Sequence, residues 1–418
     1  MNKDIYNTYL RILNKELVTA MGCTEPIAIA YAGSIARKTL GMLPDHILIE
    51  VSGNIIKNVK SVIVPHTNGN KGIETACCIG IAGGDPQAQL EVISHVTHED
   101  VLLMEELLKK SHIQVKPLES PYSLDIRITI SKDEHEAMVH IAGTHTHIVE
   151  IQKDHQVVKK GSLLKQSIDE DYLMLNMHDI YEFAYSVDIE DVKELLDQMI
   201  SCNEAIANEG MRGNYGANIG KVIALRKDMT SLLKAYAASG SDARMNGCEL
   251  PVVINSGSGN QGLTVSVPLI VYARKNNIAL EKLYRGLVIS NLTAIHLKTE
   301  IGRLSAFCGA VSAGAASGAG LAYLKGADEE VMNHTIVNAL GITSGIICDG
   351  AKASCAAKIA VSVEAGILGY EMFMNGQQFY GGDGIISKGI ENTIHNIGLL
   401  GSKGMSSTDQ EIIKIMCE

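Results

Sequence analysis

The chain contains no tryptophan and only 4 Phe in 418 residues, and aromatic residues make up 4% of it. A core without large rings must be filled by small and branched side chains. With 40 Gly and a hydrophobic content of 46%, that means closely approaching helices. Basic excess is missing as well, because 36 Lys and Arg against 47 Asp and Glu leave a net charge of −11. Nucleic-acid partners call for a basic face, so no nucleic acid is expected. The charge fits a soluble cytoplasmic protein. The opening MNKDIYNTYLRILNKEL is charged and amphipathic, unlike a secretory leader. Residues Leu304 to Leu324 carry no charge, about the length of a spanning helix. They are mostly Gly, Ala and Ser, which lipid favours only weakly, so a buried helix and no membrane partner are expected. Nine cysteines is an odd number in a chain too long to need disulfide staples. Reduced thiols serving as ligands, nucleophiles or core are the expectation.

The length points to two units or one elaborated core. The reading is an α+β fold. A large, mainly helical unit comprises 1–40 and 188–418, and a smaller mixed α/β unit with its linker covers 41–187. Apolar spacing at Ile5, Tyr9, Ile12, Leu13 and Leu17 predicts a first helix. Thr24 as a cap before Glu25 and Pro26 starts a second, which runs to Leu40 and stops at Gly41. Residues 46–65 alternate as strands, ILIEVSG and then VKSVIVP. Helices are predicted over 72–84, 85–96 and 98–111, a hairpin-like stretch over 124–151, and a charged linker over 152–171. From 188 the pattern is helical: 192–210, 223–247, 264–276, 279–297, 300–324, 328–347, 352–374 and 385–399.

Against this background three cysteines stand out. Cys308, Cys348 and Cys355 lie in LSAFCGAVSAG and GIICDGAKASCAAK, dense in Gly, Ala and Ser. Thiolates attract soft metals, above all iron–sulfur clusters and zinc. Small neighbours let backbone close around a bulky inorganic group, and three ligands rather than four leave one metal site open for chemistry. Three buried, inert cysteines are the alternative on spacing alone. Cys23, in Gly22-Cys23-Thr24-Glu25-Pro26, falls just before a helix N-terminus. The dipole there favours thiolate, making Cys23 a low-pKa nucleophile or base, or else a buried thiol beside a cap. Asn255 to Gly262, NSGSGNQG, offers Ser256, Ser258, Asn260 and Gln261 beside flexible glycines at a helix start, a cradle for phosphate or carboxylate. It lacks the Lys-Ser/Thr ending of a Walker A loop.

Weaker signals surround these. Thr67 sits in PHTNGNKG, either a second anion cradle or a strand-to-helix turn. Arg244, in SDAR, can fork onto a carboxylate or make a salt bridge at a helix end. His145-Thr146-His147 has no third ligand at a convincing spacing, so a hydrogen-bonding role is expected of His147. Cys77 and Cys78 read as core. Cys202, Cys248 and Cys417 lack supporting context.

Taken in order, MGCTEPIAIAYA, SGSDARM, NSGSGNQG, RLSAFCGA and GIICDGAKASCAAK resemble the L-cysteine desulfidase family, which is related to the α-chain of iron–sulfur L-serine dehydratases. The resemblance runs from about residue 17 to about residue 415. It implies a [4Fe–4S] cluster on Cys308, Cys348 and Cys355, a catalytic cysteine at Cys23, and no pyridoxal phosphate. The implied reaction converts L-cysteine and water into pyruvate, ammonia and hydrogen sulfide. Such a β-elimination needs a base for the α-proton, an acceptor for the leaving sulfur and a grip on the carboxylate. Cys23 fits the first role and the open iron the second. Loop 255–262, with Arg244 and Thr67, fits the third. Three departures from the family are visible: a more polar 65–72 loop, His147 in place of an expected Asn, and Cys417 near the end.

L-serine dehydratase is the nearest alternative, differing only in its leaving group. A pyridoxal-phosphate lyase would use NSGSGNQG as a phosphate cradle and need a Schiff-base lysine, for which the sequence offers no convincing residue. A non-catalytic iron–sulfur sensor is the third. The expected partners are a small amino-acid substrate and, given a large Ala/Gly-rich helical surface, a second copy in a homodimer.

Overall fold

The structure, a computed structural model, describes residues 1–162 and 169–417. In chain order α1 (Lys3–Glu16) and β1 (Thr19–Met21) lead into α2 (Thr24–Leu40), followed by β2 (His46–Val51) and helices α3 (Gly53–Val59), α4 (Gly72–Gly83) and α5 (His98–Lys110). Strands β3 (His112–Pro117), β4 (Asp125–Lys132), β5 (His135–Ala142), β6 (Ile148–Lys153) and β7 (Gln156–Lys160) complete a sheet. The helical part contains α6 (Glu170–Leu173), α7 (Met177–Ser186), α8 (Ile189–Arg212), α9 (Ile219–Ala224) and α10 (Met229–Met245). After the short β8 (Pro251–Val253) come α11 (Gly259–Asn276), α12 (Leu280–Thr299), α13 (Gly309–Leu324), α14 (Glu329–Thr343), α15 (Cys355–Met374), α16 (Ile390–Leu399) and α17 (Ser406–Cys417). A large, mainly helical unit with a smaller mixed α/β region is the fold class expected.

The six strands run in the order β3-β2-β4-β5-β6-β7. Only the β2–β3 pair is parallel; the others are antiparallel. Alternation puts Ile47, Ile49, Ile126, Ile128, Ile130, Val139 and Ile141 on a buried face. Helices α2 and α4 cover that face. Their backbones nearly touch: a Cβ on Gly80 would lie 2.1 Å from the Ala30 carbonyl oxygen, and one on Gly33 2.8 Å from that of Cys77. Residues 24–40, grouped in the sequence with the helical unit, pack on β4, β5 and α4, with Ala30 and Gly33 at the closest approach. Helix α13 runs through the helical unit, surrounded by α11, α12, α14 and α15. That surround explains its missing charges. Among the described residues no helix is long and apolar enough to cross a membrane.

Several local expectations give way. VKSVIVP, residues 59–65, is not a strand: Val59 ends α3, and the rest turns back with a single bridge between Ile63 and Lys71. Residues 85–96 hold only a short 3₁₀ turn at Pro86–Glu91, kinked where Gln89 takes φ 48°. The helix predicted over 223–247 breaks at Lys227, at φ 61°, and restarts under an Asp228 cap. The helix predicted from 300 begins only at Gly309, after Gly302 at φ 88°. Part of the presumed linker pairs as β7, and residues 163–168 lie outside the described residues. Thr24 is the first helical residue and Cys23 the N-cap. Strands β1, β3 and β8 and helices α7 and α17 were not predicted.

Candidate active site

Two short backbone pairings assemble the site. Strand β1 pairs antiparallel with β8, Thr19 opposite Val253 and Met21 opposite Pro251. Cys23 and the loop at 255–262 follow these strands directly, so the ribbon sets them side by side. The Thr24 hydroxyl then donates to the Gly257 carbonyl at 3.0 Å. The second pairing is a bridge between Phe307 and Ile347. Cys308 N–H donates to Ile346 O at 3.1 Å and Cys348 N–H to Ala306 O at 2.7 Å. Cys355 is reached by the turn that follows.

The result is one cavity of about 100 Å³ lined by Cys23, Arg244, Ser256, Ser258, Asn260, Gln261, Cys308, Cys348 and Cys355. Of the residues given a catalytic, substrate or cluster role in the sequence, Thr67 does not line it. Its hydroxyl donates to Val64 O at 2.7 Å inside its own loop. That loop packs over Gly22, where an added Cβ would meet Pro65 at 2.5 Å. It is a turn.

Four helices aim their N-termini at this cavity. Cys23 is the N-cap of α2, Ser258 of α11 and Cys308 of α13, and Cys355 is the first residue of α15. None of the four ends has a side-chain cap bond. Their free N–H groups and dipoles make the space favourable for negative charge. Ser256 holds φ 50°, strain of the kind kept at functional loops.

Arg244 is 2% exposed, and no carboxylate pairs with it among the described residues. Gly259 leaves it room: a Cβ there would lie 2.3 Å from the Arg244 Nε. Among the described residues that Nε has no hydrogen-bond partner, and neither do His145 Nε2, Asn260 Oδ1 and Gln261 Oε1, all buried at the cavity. Buried polar groups are normally satisfied, so four orphans on one cavity mark a polar ligand's place. Donors of Arg244 and His145 suit a carboxylate, and the amides of Asn260 and Gln261 suit an ammonium group.

Cys23 departs from the low-pKa thiol expected of it. Burial and the neighbouring Glu25 carboxylate push its pKa up, and Arg244 offsets this only in part. Its Sγ–H donates to Glu25 Oε2 at 3.0 Å. Burial alone would raise Glu25 too, but His145 and Cys23 outweigh it and hold the carboxyl down at about 2. Asn58 donates to Glu25 Oε1 at 3.1 Å. His145 Nε2 stands 3.9 Å from the same oxygen, a charge contact too long for a hydrogen bond. Glu25, Asn58 and His145 were passed over as site residues in the sequence. For His145 the only signal was a histidine in a strand-rich region, and attention fell on His147, which binds Ser162 O at 2.7 Å.

Burial also raises the thiols of Cys308 and Cys355. The sulfurs of Cys308, Cys348 and Cys355 do not all lie within 4.8 Å of one another, since only His178, Asp179 and Glu182 do so among the described residues. A single tetrahedral zinc ion would draw thiolates to about 3.8 Å. The wider span fits a multi-iron group better than one ion. Lys57 donates to Cys348 O at 3.3 Å and pairs with Asp409 of α17 at 2.5 Å. Lys298 lines the same cavity, 5% exposed, and burial lowers its pKa to about 8. A second, larger cavity of about 720 Å³ shares His145, Gly257 and Arg303 with the first. Arg303 there pairs with Glu16 at 2.6 Å.

This mainly helical scaffold with a thiol-lined, anion-accepting cavity has known counterparts. A description of the serine dehydratase alpha chain matches residues 87–414. A UPF0597 protein of Desulfitobacterium hafniense is 56% identical over 415 residues, 98% of this chain and 96% of its own length. UPF0597 proteins of Lachnoclostridium phytofermentans and Finegoldia magna are 48% and 47% identical, over 99% and 98% of this chain and 100% and 99% of their own lengths. The chain belongs to the serine dehydratase alpha chain family. The family description names serine, and the names of these relatives carry no substrate.

Proposed function

We propose that the chain is a lyase that eliminates the β-substituent of a small L-amino acid, with L-cysteine as substrate and pyruvate, ammonia and hydrogen sulfide as products. The observation that carries this reading is the convergence of three thiols, Cys23 and an unpaired buried Arg244 on one cavity ringed by helix N-termini. Cys308, Cys348 and Cys355 would hold a [4Fe–4S] cluster. When bound, that group supplies a Lewis acid for the leaving sulfur. Arg244 and the N–H groups at the start of α11 bind the α-carboxylate, and Asn260 and Gln261 orient the ammonium group. Cys23, as thiolate, takes the α-proton. Its own proton is handed to Glu25, its acceptor at 3.0 Å, with His145 3.9 Å from the other oxygen of that carboxylate. Loss of the proton and of hydrosulfide leaves aminoacrylate, which water converts to pyruvate and ammonia.

L-serine dehydratase is the second reading, favoured by the family itself. Reconstitution with iron and sulfide under anaerobic conditions, followed by pyruvate and sulfide assays on L-cysteine and L-serine, decides between them. About four irons per chain with sulfide release support the desulfidase. Pyruvate from serine alone moves the assignment to the dehydratase, and absence of iron and turnover overturns both. In the same assay Cys23→Ala is expected to keep its iron and lose turnover, and an active variant would remove Cys23 as the base.

A further inference from the structure

Lys298 has no role in the chemistry above, yet its environment is unusual. It sits in the last turn of α12, is 5% exposed and faces the cavity that holds Cys308 and Cys348. Its ammonium belongs to the cavity lining, and no carboxylate is among the groups that act on it most strongly. Among the described residues Glu25 is the one carboxylate lining this cavity, and other acidic side chains have partners of their own. Glu16 pairs with Arg303, Asp409 with Lys57, Asp349 with Lys352 and Lys358, and Glu300 with His395. Glu25 is engaged by Cys23 and Asn58. The C-terminal end of α12 supplies only partial negative charge. A buried ammonium without a counter-charge is costly, so this residue belongs to a state in which an anion is beside it. The groups that attract it are Cys348 and Cys308, while Lys57 and Arg303 repel it.

We propose that Lys298 is the fixed counter-charge of the Cys308 and Cys348 thiolates and of the metal group they hold. The assignment rests on the iron–sulfur reading above. Three thiolates bring more negative charge into the cavity than an iron–sulfur core balances, and a cation fixed against two of them offsets the excess. Lys298 is thus a positioning residue for the cluster, acting on how tightly it is held and at what potential it is reduced.

Two variants test this, Lys298→Met, which keeps length and removes charge, and Lys298→Arg, which keeps charge. In iron-free protein Lys298→Met is expected to melt at a higher temperature than the wild type, because an uncompensated charge is gone. After reconstitution the order reverses. Lys298→Met should lose iron to a chelator about 10- to 100-fold more readily. Its cluster should also have a more negative midpoint potential, while Lys298→Arg stays near the wild type in both. A Lys298→Met protein that holds iron at the wild-type potential but needs far more L-cysteine would show that Lys298 serves the substrate, and would overturn the proposal. So would a Lys298→Arg protein with an intact cluster and no turnover, which would mark a reactive amine. A wild-type chain that takes up no iron overturns the iron–sulfur reading itself, a result distinct from a variant that loads and holds iron normally.

Discussion

Arg244, 2% exposed, meets no carboxylate among the described residues, and that imbalance dictates what the cavity accepts. A guanidinium fork to a substrate carboxylate is worth about 1.5–3 kcal/mol, so Arg244→Gln is expected to raise the KM for L-cysteine roughly 10- to 100-fold. The same substitution should raise the stability of substrate-free protein in urea, because a buried unpaired charge disappears. Asp242, two residues earlier, gives a pH signature. Its Oδ2 accepts Gly220 N–H at 2.9 Å, its Oδ1 has no partner among the described residues, and burial raises its pKa to about 6. A carboxyl raised above its ordinary 3.8 contributes full stability below that value and loses it as pH climbs through 6. Urea unfolding of the wild type against Asp242→Asn should therefore show the wild type falling behind by about 2–3 kcal/mol between pH 4 and 6, with no further change above.

At the scale of elements, glycine contacts set the distance between thiols. An added Cβ on Gly314 would stand 2.4 Å from Ser362 O, and one on Gly366 2.4 Å from Gly314 O, so α13 and α15 touch backbone to backbone. Those helices carry Cys308 and Cys355 at their N-termini. Gly366→Ala gains about 1 kcal/mol of helix propensity but must push the helices apart, and overpacking costs 1–3 kcal/mol or more against rigid backbone. The expected outcome is a net loss of about 1–2 kcal/mol in urea unfolding. Iron content after reconstitution should fall with it. The scarcity of aromatics foretold this style of packing. Helix cores were legible wherever apolar spacing ran long, as in α2, α8 and α13. Boundaries were not, because Gly302, Lys227 and Gln89 turn the chain through φ values that spacing does not encode. The cavity's thiols, Arg244 and loop 255–262 were legible as chemistry. His145 and Glu25 were not, since what makes them site residues is the turn between β5 and β6 and a helix start brought together from 120 residues apart. Lys298 was hidden for the same reason, its significance being the cavity it lines.

Across the whole molecule, the last helix reaches back to the site. Asp409 on α17 is the counter-ion of Lys57, whose ammonium also holds the Cys348 carbonyl, and Ile413 packs over Gly53. Cys417 ends this helix, and its side chain lies outside the described residues. Asp409→Asn strips the charge partner from a buried lysine, so a loss of about 3 kcal/mol is expected in urea unfolding. Iron release should quicken in parallel, because the Cys348 segment loses its brace. The ribbon of β1 and β8 has a different consequence, one of timing. It joins Thr19 to Val253, and nothing local favours that meeting. Closing so long a stretch of chain is entropically dear, and contacts between distant residues form late in folding. The half of the site bearing Cys23 and the half bearing Cys308 therefore mature separately. On the iron–sulfur reading proposed above, a cluster would load only once both halves have met in the folded chain.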